Sequence, residues 1–345
     1  MAMKKNSLCL LFLPFLSIFS LAQTYKFSTL YSFQNNGKDP SGPTSLILGA
    51  DGNLYGTSEL GGTYNAGTVF KMTTKGVLTV LHSFNGTTGG GNPTSLARYS
   101  RTGDIYGTTG TTVFKLTLKN STFTFSTLYS NNLYAQMGAA VLDSHGNLYG
   151  TAYLCTSSTC VWEIPAGATW MDVWDAGDVE NFISNIVIDK NGYLYVGEAY
   201  GGIAFSAWVQ EIGGSGSSFG PSGEWPISLR EDSSGEIYAL AQGDFSDDGT
   251  NGEIFKTDTV GNVSILYTFV GGSQPSGSFS LDSTGNIFGT AYGTNGFVFK
   301  VKPTGILTSL YAGAVNANVG VVMDESGNLY GTTTTGLGSV FKLTK

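Results

Sequence analysis

The chain has 345 residues, of which 12% are charged and 13% aromatic, with 49 glycines and a formal charge of −8. Many glycines and aromatics beside so few charges suit short strands and tight turns, and exclude a disordered or long-helical chain. An acidic balance without a Lys/Arg cluster excludes nucleic acid as a partner and disfavours anionic membranes.

The first 22 residues stand outside the pattern of the rest. Lys4 and Lys5 precede an apolar run from Leu8 to Leu21, and Ser20-Leu21-Ala22 places small residues where a signal peptidase reads. This predicts a signal peptide over 1–22, cleaved before Gln23, and no membrane insertion of what remains. The run is short for a membrane span. Loss of Lys4 and Lys5 takes the formal charge from −8 to −10. The mature chain is expected to be secreted, periplasmic or extracellular.

Segment 25–33, Tyr-Lys-Phe-Ser-Thr-Leu-Tyr-Ser-Phe, reads as a strand of the same type as 78–84, 125–130 and 307–311. Four strands follow, over 43–48, 53–58, 67–73 and 77–84, joined by a tight turn, a variable loop and a second turn. Between the first two lies Gly-Asn-Leu-Tyr-Gly-Thr. That word, intact or degraded, recurs from Gly52, Gly103, Gly146, Gly192, Gly235, Gly285 and Gly327, at intervals of 42 to 51 residues. A period in the forties made of strands and turns is the signature of a propeller, because one small sheet cannot bury both of its faces alone. The expected fold is therefore all-β: a seven-bladed β-propeller of four-stranded blades, forming a single domain over 23–345. The chain stops at Lys345, just after a third strand, so strand 25–33 is expected to pair in the last blade and close the ring.

Later repeats open with Asp three residues before the anchor glycine, at Asp143, Asp189, Asp232, Asp282 and Asp324. The carboxylate suits hydrogen bonds to backbone two residues on, and the glycine supplies a positive φ, so these five carboxylates read as hairpin devices. The third strand carries a second word, with Val69-Phe-Lys-Met and Val298-Phe-Lys-Val among its copies. Its apolar run predicts burial on both faces. Counting back from each anchor glycine gives Ser45, Ser95, Ala139, Asn185, Ser228, Ser278 and Gly320, nearly all small. They predict innermost strands crowded around a channel, with Asn185 the member of that ring able to touch a ligand.

Two loops carry chemistry of their own. Cys155 and Cys160 flank Thr-Ser-Ser-Thr, and in an exported protein such a pair predicts a disulfide. Asp244-Phe-Ser246-Asp-Asp248-Gly resembles the first half of a calcium loop, with Asp244, Ser246 and Asp248 as oxygen ligands. Calcium is the cofactor it would hold. Phe255 stands where the usual bidentate Glu would be, so Asp247 or Glu253 would have to complete the set. His82 and His145 are too scattered for a catalytic constellation and read as packing or surface residues.

The two repeated words, followed by Leu-x-x-Leu-Tyr-Ser-Phe, resemble the GloVer extracellular tandem repeat of exported bacterial proteins with varied surface anchors. The similarity is most specific in repeats one, two, six and seven; repeats four and five, with Gly192-Tyr-Leu-Tyr-Val and Gly235-Glu-Ile-Tyr-Ala, depart most. The resemblance implies export and a repeat scaffold and no established activity. In outline the chain is also similar to NHL- and lactonase-like propellers, which implies an alternative: a metal-dependent hydrolase or lyase with its site at the channel mouth. Glu180, Asn181, Glu224, Gln274, Asn316 and Asn318 would gather at that mouth.

A binding role is expected over an enzymatic one, by a monomer that recognises polysaccharide or a cell-surface protein. The loops between second and third strands vary in length and are rich in Gly, Thr, Ser, Tyr and Asn, suited to adaptable hydrogen bonds and flat contacts. Tyr64, Tyr153, Tyr200, Trp208 and Tyr292, with Glu198, are the expected ligand contacts on them.

Overall fold

A computed structural model of the chain describes residues 25–87, 90–98, 102–120, 122–130, 136–153, 160–168, 171–175, 181–182, 185–199, 207–212, 218–219, 224–243, 251–258, 262–293, 296–313 and 319–345. The leader expected over 1–22 lies outside them. All named elements are strands. β1 (Lys26–Ser32) comes first, then the first repeat with β2 (Pro40–Leu48), β3 (Leu54–Gly61), β4 (Thr68–Met72) and β5 (Leu78–Ser83). The second repeat forms β6 (Ser95–Arg98), β7 (Ile105–Thr108), β8 (Thr112–Lys119) and β9 (Thr122–Ser130). The third forms β10 (Gln136–Leu142), β11 (Leu148–Tyr153), β12 (Cys160–Ile164) and β13 (Asp172–Asp175). The fourth is broken into β14 (Asn181–Phe182), β15 (Val187–Ile188), β16 (Leu194–Ala199), β17 (Ala207–Ile212) and β18 (Ser218–Phe219). Regularity returns in the fifth with β19 (Glu224–Glu231), β20 (Ile237–Gly243), β21 (Glu253–Thr257) and β22 (Val263–Thr268). The sixth has β23 (Gln274–Leu281), β24 (Ile287–Tyr292), β25 (Phe297–Val301) and β26 (Leu307–Ala312), and the last β27 (Val321–Met323), β28 (Leu329–Thr333) and β29 (Ser339–Thr344).

Six sheets are regular and four-stranded, each an antiparallel meander, with β1 serving as the outer strand beside β29 in the last. The fourth repeat is different. Its inner strand is split into two pieces of two residues that pair separately with β16, making a five-membered sheet. This corrects the expected seven-bladed closed ring of equivalent four-stranded blades to a propeller-like arrangement with six regular blades. Closure is corrected as well. Every sheet is open, its ladder ending at an inner and an outer edge, and β1 completes one sheet without joining it to another. Between sheets of different repeats the described residues show one isolated bridge, Ser278 with Gly320.

What holds the sheets side by side is side-chain packing. Each apolar cluster draws on two neighbouring sheets: Tyr55, Val69, Phe84, Leu96 and Phe114 join the first and second, and Leu46, Phe70, Val319 and Tyr330 the first and last. The two repeated words meet inside each regular sheet. Gly56 lies opposite Phe70, Gly107 opposite Phe114, Gly150 opposite Trp162, Gly289 opposite Phe299 and Gly331 opposite Phe341. At each of these glycines a Cβ would overlap the facing ring, so the glycine is the space into which the aromatic folds. In the fourth repeat Val196 faces Gln210, and neither half of the device remains.

The lysine of the third strand lies over the aromatic of the hairpin word, with Lys71 5.5 Å from the Tyr55 ring and Lys342 5.2 Å from that of Tyr330. In three sheets the same lysine pairs a nearby acid, as in Lys71–Asp51 at 2.7 Å and Lys256–Glu236 at 2.8 Å. These pairs are partly solvated and contribute little each.

The expected Cys155–Cys160 disulfide falls only half within the described residues: Cys160 is disulfide-bonded, and Cys155 lies outside them. Cys160 begins β12, faces Ala152 across the ladder and is fully buried in the cluster with Met137, Leu148 and Trp162. Its cross-strand neighbour is a core alanine.

Candidate functional site

Alternation along the innermost strands sends every second residue toward the axis. Ser45, Ser95, Ala139, Asn185, Ser228 and Ser278 thereby line a common axial cavity of about 640 Å³. Small side chains let the strands approach, and their polar atoms tie neighbours together. Thr44 Oγ1 donates to the Pro93 carbonyl at 2.7 Å, and Thr94 Oγ1 to that of Met137 at 3.2 Å. Asn185 spends its amide on the next sheet, accepting from the Leu229 N–H at 2.8 Å and donating to the Leu229 carbonyl at 3.1 Å. Ser278 Oγ donates to the Val319 carbonyl at 3.0 Å. Gly320 is required here, because a Cβ would overlap the Ser278 backbone.

Two residues further along each inner strand lies a second axial layer, opposite the aromatic of the hairpin word. Its members are Ile47, Ala97, Val141, Val187, Arg230, Ser280 and Val322. Arg230 is the charged member, and the sequence reading passed it over. The signal was present, since aligning the repeats on their anchor glycines, with one residue more in the second repeat, puts one arginine in a column of small and apolar residues. Its Nε donates to the Phe279 carbonyl of the sixth-repeat sheet. The side chain lines both the axial cavity and a second cavity of about 390 Å³. The residue is exposed to the channel, while the strands crowding the guanidinium desolvate it enough to hold its pKa below the ordinary arginine value.

At the hairpins the expected role of the aspartates is what the geometry displays. Asp282 Oδ1 accepts from the N–H groups of Thr284 and Asn286, both at 2.9 Å, while Oδ2 accepts from Asn286 Nδ2 at 2.8 Å. Asp324 repeats the arrangement and also accepts from the Tyr330 hydroxyl at 3.0 Å. Burial pushes the carboxyls of Asp232, Asp282 and Asp324 up, but these hydrogen bonds outweigh it and hold all three below the usual range. Of the histidines, His82 stacks on Phe125 with ring centroids 3.7 Å apart, and burial lowers its pKa to about 4. His145 stands on an exposed hairpin.

The residues expected to contact ligand are placed unevenly. Tyr64 projects from the turn between β3 and β4, 65% exposed. That turn is built, with Asn65 at φ 52° and its Oδ1 accepting from the Gly61 N–H at 3.0 Å. Tyr292 is half-buried and donates its hydroxyl to Gln274 Oε1 at 2.5 Å. Tyr153 lies opposite Gln136 at the end of β11, and register sets Glu198 on β16 opposite Trp208 on β17. Tyr200 lies outside the described residues, as do Asp244, Ser246 and Asp248 of the expected calcium loop. Among the described residues no group of three or more His, Cys, Asp or Glu is placed to hold a metal ion. No helix among them is long and apolar enough to cross a membrane.

Residues 17–209 match the Gloeobacter/Verrucomicrobia repeat, more than half of the chain. The chain belongs to that family. No protein of curated function matches its sequence. Among solved structures, this family member is similar to the β-propeller domain of Cps50 (Swd1) from Myceliophteria thermophila, with TM-score 0.64 and 15% identity over 92% of this chain and 99% of that one. It is also similar to the extracellular domain of a protein assigned as a one component system in B. thetaiotaomicron, with TM-score 0.62 and 14% identity over 91% of this chain. The chain spans only 39% of that protein's length. Oligogalacturonate lyase from Vibrio parahaemolyticus gives TM-score 0.60 and 10% identity, covering 93% and 97% of the two chains. At such identities the likeness concerns the fold, which the Gloeobacter/Verrucomicrobia repeat shares with binding modules and enzymes alike.

Proposed function

We propose that the protein is a secreted recognition module that binds polysaccharide or a surface protein through the loops between second and third strands. The observation that carries this is Tyr64. A large aromatic stands 65% exposed on a turn fixed by its own hydrogen bonds, an arrangement that offers a flat ring at low entropic cost. The meander puts this loop at the end of the sheet opposite the repeated hairpins, where sequence varies without disturbing the register.

A glycan array probed with the mature protein tests the proposal, with Tyr64→Ala in parallel. Binding of a glycan class that weakens about tenfold in the variant, equivalent to about 1.4 kcal/mol, is the expected result. Equal binding by both proteins removes the loop face from the function. Cleavage of a bound glycan, followed by chromatography of the products, would replace recognition by catalysis.

A further inference from the structure

The axial channel contains a cation that no ion pair among the described residues engages. Ion pairs among the described residues engage Lys71, Lys115, His145 and Lys256, and Arg230 is in none of them. Its Nε is taken by the Phe279 carbonyl, which leaves the two terminal nitrogens without a protein acceptor among the described residues. Glu231 follows directly and lines the smaller cavity beside Arg230, but its carboxylate accepts from the Lys190 N–H at 3.3 Å and forms no ion pair with the guanidinium. The other six positions of the same axial layer bring no carboxylate. An arginine cannot shed its proton to escape such a place. Arg230 is exposed to the channel, so an anion entering there can pair with its terminal nitrogens without displacing a protein partner.

The space fits as well as the charge. Arg230 lines both cavities, and the larger, whose lining has no carboxylate, gives a small anion room beside the guanidinium. Ser228, two residues earlier on β19 and so on the same face, lines the larger cavity and brings a hydroxyl to the same side. Planar guanidinium presents its terminal N–H groups as a fork that matches two oxygens of one carboxylate or phosphate.

We propose that the axial channel is a binding site for a small oxyanion, held end-on by the two terminal nitrogens of Arg230. The group recognised is a phosphate or a carboxylate, free or carried by a ligand small enough to enter the channel. This site is remote from the loop face, so either proposal stands or falls without the other.

Calorimetric titration of the mature protein at low ionic strength, with inorganic phosphate and separately with D-glucuronate, tests it. Saturable binding of at least one is expected, with D-glucose inert, and affinity at least tenfold weaker in Arg230→Gln. Arg230→Lys keeps the charge without the fork and should fall between. Phosphate binding alone identifies a free oxyanion as the source, and glucuronate binding alone an acidic sugar. Absence of both, or equal affinity in Arg230→Gln with an unchanged melting temperature, overturns the proposal. A measurement on the unsubstituted protein guards against a variant that fails to fold. Phenylglyoxal should label Arg230, mapped by mass spectrometry, and the bound anion should slow that labelling. No labelling at Arg230, or labelling indifferent to the anion, counts against the site.

Discussion

The sheets of the sixth and fourth repeats differ most sharply at one cross-strand pair. In the sixth, Gly289 faces Phe299, and the ring occupies the space a side chain would have filled. In the fourth, Val196 faces Gln210, Val196 is itself fully buried, and the inner strand is split into two short pieces. The fifth repeat is intermediate, with Ala239 facing Phe255 and four intact strands. The glycine of one word and the aromatic of the other thus work as a single device. Where both are lost, the sheet loses its regular inner strand.

The comparison breaks most visibly if the aromatic is removed. Phe299→Ala should cost about 3–5 kcal/mol, because a fully buried ring leaves a cavity facing a glycine that cannot fill it. Urea unfolding measures this, and a loss below about 1.5 kcal/mol would show that the ring is not a keystone of the sheet.

Filling the glycine is the next largest change. Gly289→Ala should cost about 1–3 kcal/mol through overlap with the Phe299 ring. The reverse change in the fifth repeat, Ala239→Gly, should cost only about 0.5–1 kcal/mol, since that sheet has already made room for the methyl. Equal losses in the two sheets would mean that the facing ring does not set the cost.

The smallest effect concerns the hairpins, which the fifth, sixth and last repeats share. Asp232, Asp282 and Asp324 have folded pKa values below their unfolded ones. Their stabilisation is therefore complete above the unfolded value of about 3.9 and is lost as pH falls through the folded values. Urea midpoints should hold steady from about pH 7 to about pH 5 and drop by about pH 3. In Asp282→Asn the drop should be shallower, because one titrating group is gone.

Much of this was legible in the chain. The hairpin word marked where first and second strands meet, and the Asp-x-x-Gly turns appear as its chemistry requires, because a turn is decided by residues that touch within four positions. The small ring at Ser45, Ser95 and Ser228 was legible for the same reason, as strand alternation needs no knowledge of the partner. The two words could be read separately, but nothing in either said that Gly56 and Phe70 would lie face to face. Arg230 was visible in the column of aligned repeats, yet its meaning needed the neighbouring sheets. Asn185 read as a member of the channel ring, and only the fold showed that its amide also reaches Leu229, a residue 44 positions away.

By itself, then, the sequence determined the all-β repeat, the spacing of its strands and the chemistry of its turns, all set by alternation and by neighbours along the chain. Only the tertiary structure decided which repeats become regular blades, that the sheets remain open and packed by side chains, and that a lone guanidinium faces the axis. Those outcomes depend on which side chains compete for the same space across strands and between sheets, and residues that meet there are separated by tens of positions in the chain.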